Sequence, residues 1–159
     1  MREKTCCFRG HRPEKLPPEH SYEGRKIKTA LYGKIERAVD NGYDHFIYGG
    51  CRGIDLWAAE RIVKLKEYLP LRLELAIPYR DHTDRWNILD KQRYYDIFSQ
   101  VNIISTFGKY FPGSCQVRNE YMIDKSSLLI AVWNGSPSRT KNRIDYAKSK
   151  GVEIDILEI

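Results

Sequence analysis

The sequence lacks the long apolar run that a membrane helix requires. No hydrophobic stretch approaches the roughly 20 apolar residues that cross a bilayer, and no apolar segment follows the basic start at Arg2 and Lys4. We therefore expect neither a membrane partner nor a secretory signal. Internal repeats, low-complexity tracts and linker-like stretches are also absent, and 159 residues suit one domain. The expectation is a single cytoplasmic domain over residues 1–159.

Cysteine is scarce, and its spacing fits neither a metal site nor a disulfide framework. Cys6, Cys7, Cys51 and Cys115 include no Cys-x-x-Cys pair, and Cys6 and Cys7 would point to opposite faces of a strand. The cysteines and histidines lack zinc spacing, and the aspartates near residue 84 do not form a calcium loop. The sequence therefore predicts buried, reduced thiols and no metal cofactor.

Common catalytic signatures are missing as well. The sequence contains no Gly-x-x-x-x-Gly-Lys-Ser/Thr phosphate loop, no Gly-x-Ser-x-Gly nucleophile turn and no Gly-x-Gly-x-x-Gly dinucleotide fingerprint. No motif supports a covalent or metal-dependent mechanism, so the sequence leaves open whether the protein is an enzyme. The formal net charge of +6, from 27 basic and 21 acidic residues, favours an anionic partner without specifying one.

Short apolar runs alternate with segments of helical periodicity. The predicted strands cover residues 4–8, 45–48, 71–77, 101–106, 128–133 and 152–157. The predicted helices cover residues 22–40, 54–67, 82–99, 115–125 and 139–150. Strand–helix alternation favours an α/β fold with a mostly parallel sheet and helices on both faces. Ligands of such sheets bind beyond the carboxyl ends of the strands, so the loops after strands are the candidate site.

The most informative loop runs from Tyr48 to Asp55 and contains three glycines. Gly49, Gly50 and Gly53 let the backbone turn sharply before a predicted helix, whose first N–H groups can bind phosphate. Arg52 could add a bidentate phosphate contact. Asp55 is compatible with two roles. It could cap or electrostatically favour the helix start, or it could accept hydrogen bonds from a ribose or a base. We expect valine at Gly50 or Gly53 to impair ligand binding more than folding.

Other predicted loops contain further candidate ligand contacts. Arg12 could bind phosphate and His11 could donate to it, while loop fixation is the alternative for His11. Arg118 and Asn119, near a predicted helix start, could contact phosphate and base or could serve the helix alone. Aromatic rings could stack on a nucleobase or pack in the core. The aromatic and adjacent candidates are Pro78, Tyr79, Trp86 and Trp133.

In their order along the chain, these motifs resemble the YpsA-like family of the SLOG superfamily. The matching motifs are Gly10 to Pro13, Gly49 to Ala58, Pro78 with Trp86, Arg118 with Asn119, and Trp133 with Gly135. The glycine-rich Arg-Gly-Ile-Asp string also resembles DNA-processing protein A. The resemblance spans nearly the whole chain and implies a Rossmann-like domain that binds a nucleotide or a nucleotide-derived small molecule.

The last glycine-rich turn departs from the family pattern. Where the family usually has Gly-Gly-Thr, this sequence has Ser138, Arg139 and Thr140 after a proline, so side chains rather than bare backbone would meet a phosphate. Phosphoribohydrolase relatives carry a glutamate after this turn, whereas Lys141 follows here. We therefore do not extend hydrolase activity from the resemblance.

Three functions are compatible with these observations. The favoured one is binding or sensing of a nucleotide-derived ligand, whose identity the sequence does not specify. A single-stranded nucleic-acid-binding module is the second, and a nucleotide N-glycosidase or hydrolase that uses Asp55 or Glu60 is the third. The sequence also leaves open whether the chain forms a homo-oligomer.

Overall fold

Within the described part of the chain, six strands form a single parallel sheet. The computed structural model describes residues 4–159, and its strands are β1 (Thr5–Arg9), β2 (His45–Tyr48), β3 (Arg72–Ile77), β4 (Ile103–Thr106), β5 (Leu128–Trp133) and β6 (Glu153–Glu158). Their order across the sheet is β4-β3-β2-β1-β5-β6, and every neighbouring pair is parallel. The predicted α/β, Rossmann-like architecture is confirmed.

Among residues 4–159, five helices connect the strands. They are α1 (Tyr22–Asp40), α2 (Ile54–Lys66), α3 (Ile88–Phe98), α4 (Ser114–Asp124) and α5 (Arg139–Ser149), and a short 3-10 turn covers Pro13–Lys15. Ser21, Asn87 and Ser138 cap three of them, because each side chain accepts a hydrogen bond from a backbone N–H in the first turn. Within residues 4–159, no helix has both the length and the apolar character needed to cross a bilayer.

Alternating residues of the strands contribute to two separate hydrophobic cores, one on each face of the sheet. Cys6 and Phe8 pack with α1, α2 and α3 on one face, whereas Cys7 packs with α4 and α5 on the other. Both cysteines are fully buried, as the alternation predicts. The helices on both faces leave the two ends of the sheet as the places where loops can form a site.

The strand order reverses direction at β1. From β1 the chain builds outward to β4 on one side, and it then returns to place β5 and β6 on the other side of β1. The loops after β1 and β5 therefore diverge and leave a crevice between them, which is where ligands of open α/β sheets bind.

One predicted helix was too long. The prediction of a helix over 82–99 is wrong for its first turns, because α3 begins only at Ile88. Asn87 starts the helix by accepting a hydrogen bond from Asp90 N at 2.8 Å, and the chain before it turns at Asp81, whose φ is +62°. Trp86 consequently lies in a loop at the carboxyl end of the sheet.

Candidate functional site

The loops that follow four strands are joined at the carboxyl edge of the sheet. His11 accepts two hydrogen bonds from the other loops. Its backbone carbonyl accepts one from Ile54 N at 3.4 Å, and its ring nitrogen Nε2 accepts one from Asn134 N at 3.1 Å. His82 Nε2 donates to the Gly50 carbonyl at 3.0 Å. The chain order predicts that the loops after the parallel strands, residues 9–13, 49–55, 78–80 and 134–140, lie at one edge of the sheet, and residues of all four loops line neighbouring cavities there.

A buried carboxylate and a buried guanidinium brace the glycine loop, residues 49–53. Asp55 Oδ2 accepts from Gly49 N at 3.0 Å and from Cys51 N at 3.4 Å. Arg118, 1% exposed, donates to the carbonyls of Gly49 and Ala76. Because the Asp55 side chain is only 6% exposed and binds the loop backbone, it stabilises the loop from the protein interior. Burial raises its pKa, and the nearby Arg118 and Arg9 oppose that rise.

Contacts within the protein explain the glycines of this loop. A Cβ at Gly49 would lie 2.7 Å from an Arg118 nitrogen, and one at Gly53 would lie 2.6 Å from the His11 carbonyl oxygen. A Cβ at Gly10 would collide with Ile54 at 2.5 Å, and one at Gly50 would lie 2.9 Å from Leu75. Both Gly50 and Gly53 also have a positive φ, so valine at either position strains the protein itself, and the expectation that it impairs ligand binding more than folding stays a prediction.

The first cavity of the site, here called the aromatic pocket, has a volume of about 520 Å³. Trp86 stands edge-on to His82 with ring centroids 5.6 Å apart, and Tyr79 stands edge-on to Tyr110 at 5.0 Å. Charged and sulfur-bearing side chains complete the walls. The other lining residues are Arg12, Cys51, Arg52, Pro78, Asp81, Asp84, Arg85 and Cys115.

The second cavity, here called the basic pocket, lies in the crevice between the β1 and β5 loops. Its volume is about 280 Å³, and it is lined by Arg9, Gly10, His11, Arg12, Glu14, Lys15, Ser138, Arg139 and Thr140. Four of these side chains are cationic, and the one carboxylate, Glu14, is paired with Arg52 at 2.6 Å. The basic pocket therefore favours an anion.

A third cavity of about 470 Å³ connects the other two and is called the connecting cavity. Arg12 lines all three cavities, Tyr79 and Tyr110 are shared with the aromatic pocket, and Arg139 is shared with the basic pocket. Asn119 and Arg143 complete its polar wall. The three cavities thus adjoin one another and form one cleft. Aromatic rings and arginines line one end, whereas the other end has cationic side chains but no tyrosine or tryptophan.

Two arginines of the cleft have buried donors without partners. Arg9 Nε makes no hydrogen bond to the residues at 4–159, and the same holds for Arg143 Nε and Nη1. Glu120 comes no nearer than 3.9 Å to Arg143 Nη1. Burial lowers the pKa of Arg9, and the nearby Cys51 and Asp55 oppose that shift. Unsatisfied buried donors are unfavourable, so an anion that accepted these bonds would be strongly held.

The start of α5 also favours an anion in the basic pocket. Ser138 caps it by accepting from Lys141 N at 3.3 Å, and Thr140 is buried in its first turn. No acidic residue lies in that turn, whereas the first turn of α2 contains Asp55. The carboxylate of Asp55 opposes a second negative charge at the start of α2, so the positive end of α5 is the better place for an anion.

The pH dependence of stability should report on His11. Because Nε2 accepts from Asn134 N, the bond requires neutral imidazole, and burial, with Lys15 and Arg9 nearby, lowers the pKa of His11. The unfolded chain takes up the proton first as pH falls below about 6.5. Stability should therefore be greatest above pH 7 and decline through pH 6.5 toward the lowered pKa of the folded state.

Urea unfolding at pH 7.5, 6.5 and 5.5 tests this expectation. Burial also lowers the pKa of His82, which adds a decline of the same sign. His11→Gln keeps an acceptor for Asn134 N but cannot titrate, so its stability should fall less between pH 7.5 and 5.5 than that of the parent. Equal declines in the two proteins would show that His11 does not contribute.

The structure sorts the remaining candidates into two groups. Arg12, Arg52, Pro78, Tyr79, Trp86, Asn119, Arg139 and Thr140 line the cleft, with Gly10 and His11 beside them. Arg118 serves the loop backbone, and Trp133 Nε1 donates to the Ser136 carbonyl at 2.8 Å to close the turn after β5. Gly135 is exposed in that turn with a φ of +84°. Glu60 is bound by Arg93 at 2.7 Å, in an ion-pair network with Glu19.

Sequence reasoning missed several lining residues. Arg9 ends β1 directly before the Gly-His-Arg motif, and that position was the available signal. Arg143 lies one helical turn after Arg139 and so shares its face of α5. No sequence feature marked His82 and Tyr110 as cleft residues, because only folding brings their loops to the cleft. No group of three or more residues suited to a metal ion occurs within residues 4–159.

Comparison with known proteins supports the resemblance seen in the motifs. The model of the YspA SLOG family matches residues 6–157. A UPF0398 protein of Halalkalibacterium halodurans is 30% identical over 145 residues, which cover 85% of this chain and 77% of that protein. A UPF0398 protein of Bacillus cereus strain G9842 is 31% identical over 156 residues, covering 93% of this chain and 84% of that protein. The chain therefore belongs to the YspA SLOG family.

Proposed function

We propose that the protein binds a nucleotide-derived ligand in the cleft. The observation that carries the proposal is the continuity of the aromatic pocket with the basic pocket through Arg12. A nucleobase presents a flat aromatic face and a phosphate presents concentrated negative charge. The two ends of the cleft match these two chemistries in one connected space.

The phosphate end of the ligand would occupy the basic pocket. Arg9 and Arg139 flank the start of α5, and Arg12 reaches the same cavity from the β1 loop. Guanidinium groups bind phosphate oxygens through paired, charge-assisted hydrogen bonds. Arg9 Nε, which has no hydrogen-bond partner among residues 4–159, supplies one such donor, and the positive end of α5 adds a favourable field.

The base end would occupy the aromatic pocket. Tyr79, Trp86 and Tyr110 provide ring faces or edges for stacking. Asp81 and Asp84 line the same space, and their carboxylates can accept hydrogen bonds from ribose hydroxyls or a base amine. The positive φ of Asp81 is the only such value among non-glycine residues in the described part of the chain, and such backbone strain often accompanies a functional site.

A melting-temperature screen tests the proposal with ADP, ATP, NAD, ADP-ribose and cyclic nucleotides. A ligand at about 100 times its Kd adds roughly 2.7 kcal/mol of stability. That gain should raise the Tm by roughly 5–11 °C for a domain of this size. Adenosine and pyrophosphate alone should each produce a smaller shift than ADP, because each fills only one end of the cleft.

Substitution of Arg12 should weaken nucleotide binding without harming the fold. Arg12 is exposed, so Arg12→Ala should leave the Tm of the free protein nearly unchanged. Loss of a charge-assisted contact should weaken ADP binding by about 1.5–3 kcal/mol, or roughly 10- to 150-fold in Kd. Isothermal titration of ADP measures this difference.

Two further variants test whether the base binds in the aromatic pocket and whether the loss of any positive charge weakens ADP binding. Tyr110→Ala, at a ring that is 66% exposed, should weaken ADP binding but not pyrophosphate binding. Arg25→Ala removes the same charge from an exposed position on α1, outside the cleft, and should bind ADP normally. If no nucleotide shifts the Tm while single-stranded DNA binds with steep salt dependence, the nucleic-acid function replaces this one.

A further inference from the structure

Arg143 has buried donors without partners, and it lies outside the basic pocket to which the phosphate end of the ligand is assigned. Its side chain is only 12% exposed, and neither Nε nor Nη1 makes a hydrogen bond to the described part of the chain. Glu120 Oε2 is 3.9 Å from Nη1, beyond hydrogen-bond distance, and accepts instead from Gln116 Nε2 at 3.0 Å. A buried guanidinium in this state favours an anion that would accept its hydrogen bonds.

The two arginines with unsatisfied donors line two adjoining cavities. Arg143 lines the connecting cavity, and Arg9 lines the basic pocket. Arg12 and Arg139 line both. Arg139 also lies four residues before Arg143 on α5, and like charges at this spacing repel each other. Two anionic groups, one in each cavity, would satisfy the buried donors and relieve this repulsion.

The connecting cavity offers hydrogen-bond donors and no negative charge. None of the described residues that line it is acidic. Asn119 Oδ1 accepts from Arg118 Nε at 2.7 Å, so the Nδ2 of this amide remains as a donor group. Asn142 adds a second amide to the wall. This chemistry suits an oxygen-rich anion such as a phosphoryl group.

The basic pocket suits a terminal phosphate better than one that is capped by a second sugar. Within residues 4–159, its walls contain four cationic side chains and one carboxylate, that of Glu14, which Arg52 binds at 2.6 Å. The ring acceptor of His11 is also occupied, because it binds Asn134 N. Sugar hydroxyls need acceptors for their hydrogens. A terminal phosphate needs only donors and brings nearly two negative charges, more than a capped phosphate carries.

We propose that the connecting cavity and the basic pocket are paired subsites for two linked phosphoryl groups, so that the cleft selects a nucleoside diphosphate with a free terminal phosphate. The phosphoryl group next to the sugar would bind Arg143, and the terminal one would bind Arg9. Arg12 and Arg139 would contact both groups. The two phosphoryl groups must be directly linked, since the same two arginines line both cavities.

The order of the two groups along the ligand rests on the proposed function, because it takes the base to lie in the aromatic pocket. The pairing of the subsites does not rest on it. Inorganic phosphate and pyrophosphate carry no base and therefore test the pairing alone. Pyrophosphate should bind the native protein roughly tenfold or more tightly than phosphate, because it fills both subsites.

Isothermal titration of the native protein with AMP, ADP and ADP-ribose tests the choice of ligand. ADP should bind roughly 10- to 150-fold more tightly than AMP, which is the gain expected from one more charge-assisted contact. ADP-ribose should bind roughly tenfold more weakly than ADP, since its second ribose removes charge and brings hydroxyls into a pocket of donors.

Three variants assign the subsites. Arg9→Met should weaken ADP binding but leave AMP binding nearly unchanged, because AMP has no group in the basic pocket. Arg143→Met should weaken the binding of both nucleotides by roughly the same factor, 10- to 150-fold, and so keep the ratio of their Kd values. Lys148→Met removes the same charge from an exposed position of α5 outside these cavities and should change neither affinity.

The comparison of ligands on the native protein keeps the test valid if a variant folds poorly. AMP or ADP-ribose that bound as tightly as ADP would overturn the choice of a nucleoside diphosphate and leave the nucleotide function intact. Equal loss of AMP and ADP affinity in Arg9→Met would overturn the pairing of subsites. Pyrophosphate that bound more tightly than phosphate, with no affinity for any nucleotide, would support the pairing and overturn the nucleotide function.

Discussion

Replacing Arg118 with methionine is expected to lower the free energy of unfolding by about 3–5 kcal/mol. The variant keeps much of the side-chain volume but removes every donor of the guanidinium. The Gly49 carbonyl then lacks its Arg118 partner, and the buried Asp55 loses a nearby cation. Urea unfolding followed by circular dichroism measures the change, which should also appear as a fall in Tm of roughly 6–20 °C.

Arg52→Met is the matched control for this prediction. Arg52 lies in the glycine loop to which Arg118 donates, and it pairs with Glu14 at 2.6 Å, but the carboxylate side chain is 60% exposed. Exposed ion pairs of this kind contribute about 0–1 kcal/mol, so the control should remain close to the parent in stability. If both variants unfold at the parent's urea midpoint, the buried guanidinium does not brace the glycine loop.

Gly53→Ala should destabilise the protein by about 2–6 kcal/mol. The backbone at Gly53 has a φ of +83° and a ψ of −129°, a region that side chains oppose. The added Cβ would also lie 2.6 Å from the backbone oxygen of His11, which has no flexible end to move aside. The loops after β1 and β2 would have to separate, and urea unfolding should report the loss.

A second glycine separates the cost of the steric overlap with His11 from the cost of the positive φ. Gly113 also has a positive φ, +95°, but an added Cβ there meets nothing within 4 Å. Gly113→Ala should therefore cost only the conformational strain, about 1–2 kcal/mol. A Gly53→Ala variant no less stable than Gly113→Ala would contradict the close packing of the two loops.

Local patterns were sufficient to predict most of the fold. All five predicted helices and all six predicted strands are present, because apolar residues at helical or alternating spacing indicate which face of an element is buried. The error at residues 82–87 has a local cause. Trp86 fits an apolar helical line, but the Asn87 cap and the turn at Asp81 stop the helix before it.

The candidate site was predictable only in part. Arg12, Tyr79 and Arg139 follow strands, and parallel strands bring such loops to one edge, so their place in the cleft follows from the order of elements. His82 and Tyr110 were recognised only when the walls of the cavities were known. Nothing in the local sequence distinguishes an aromatic side chain that lines a cleft from one that faces solvent.

The sequence by itself determined the parallel α/β order, the family and the loops in which a ligand could bind. Only the tertiary structure decided which charged side chains face the cleft and which bind the protein's own backbone. Arg118 and Asp55 look like ligand contacts in the motif, yet they bind the backbone of the glycine loop. The physical reason is that a buried charge must find partners through space, and residues 69 positions apart become neighbours only when the chain has folded.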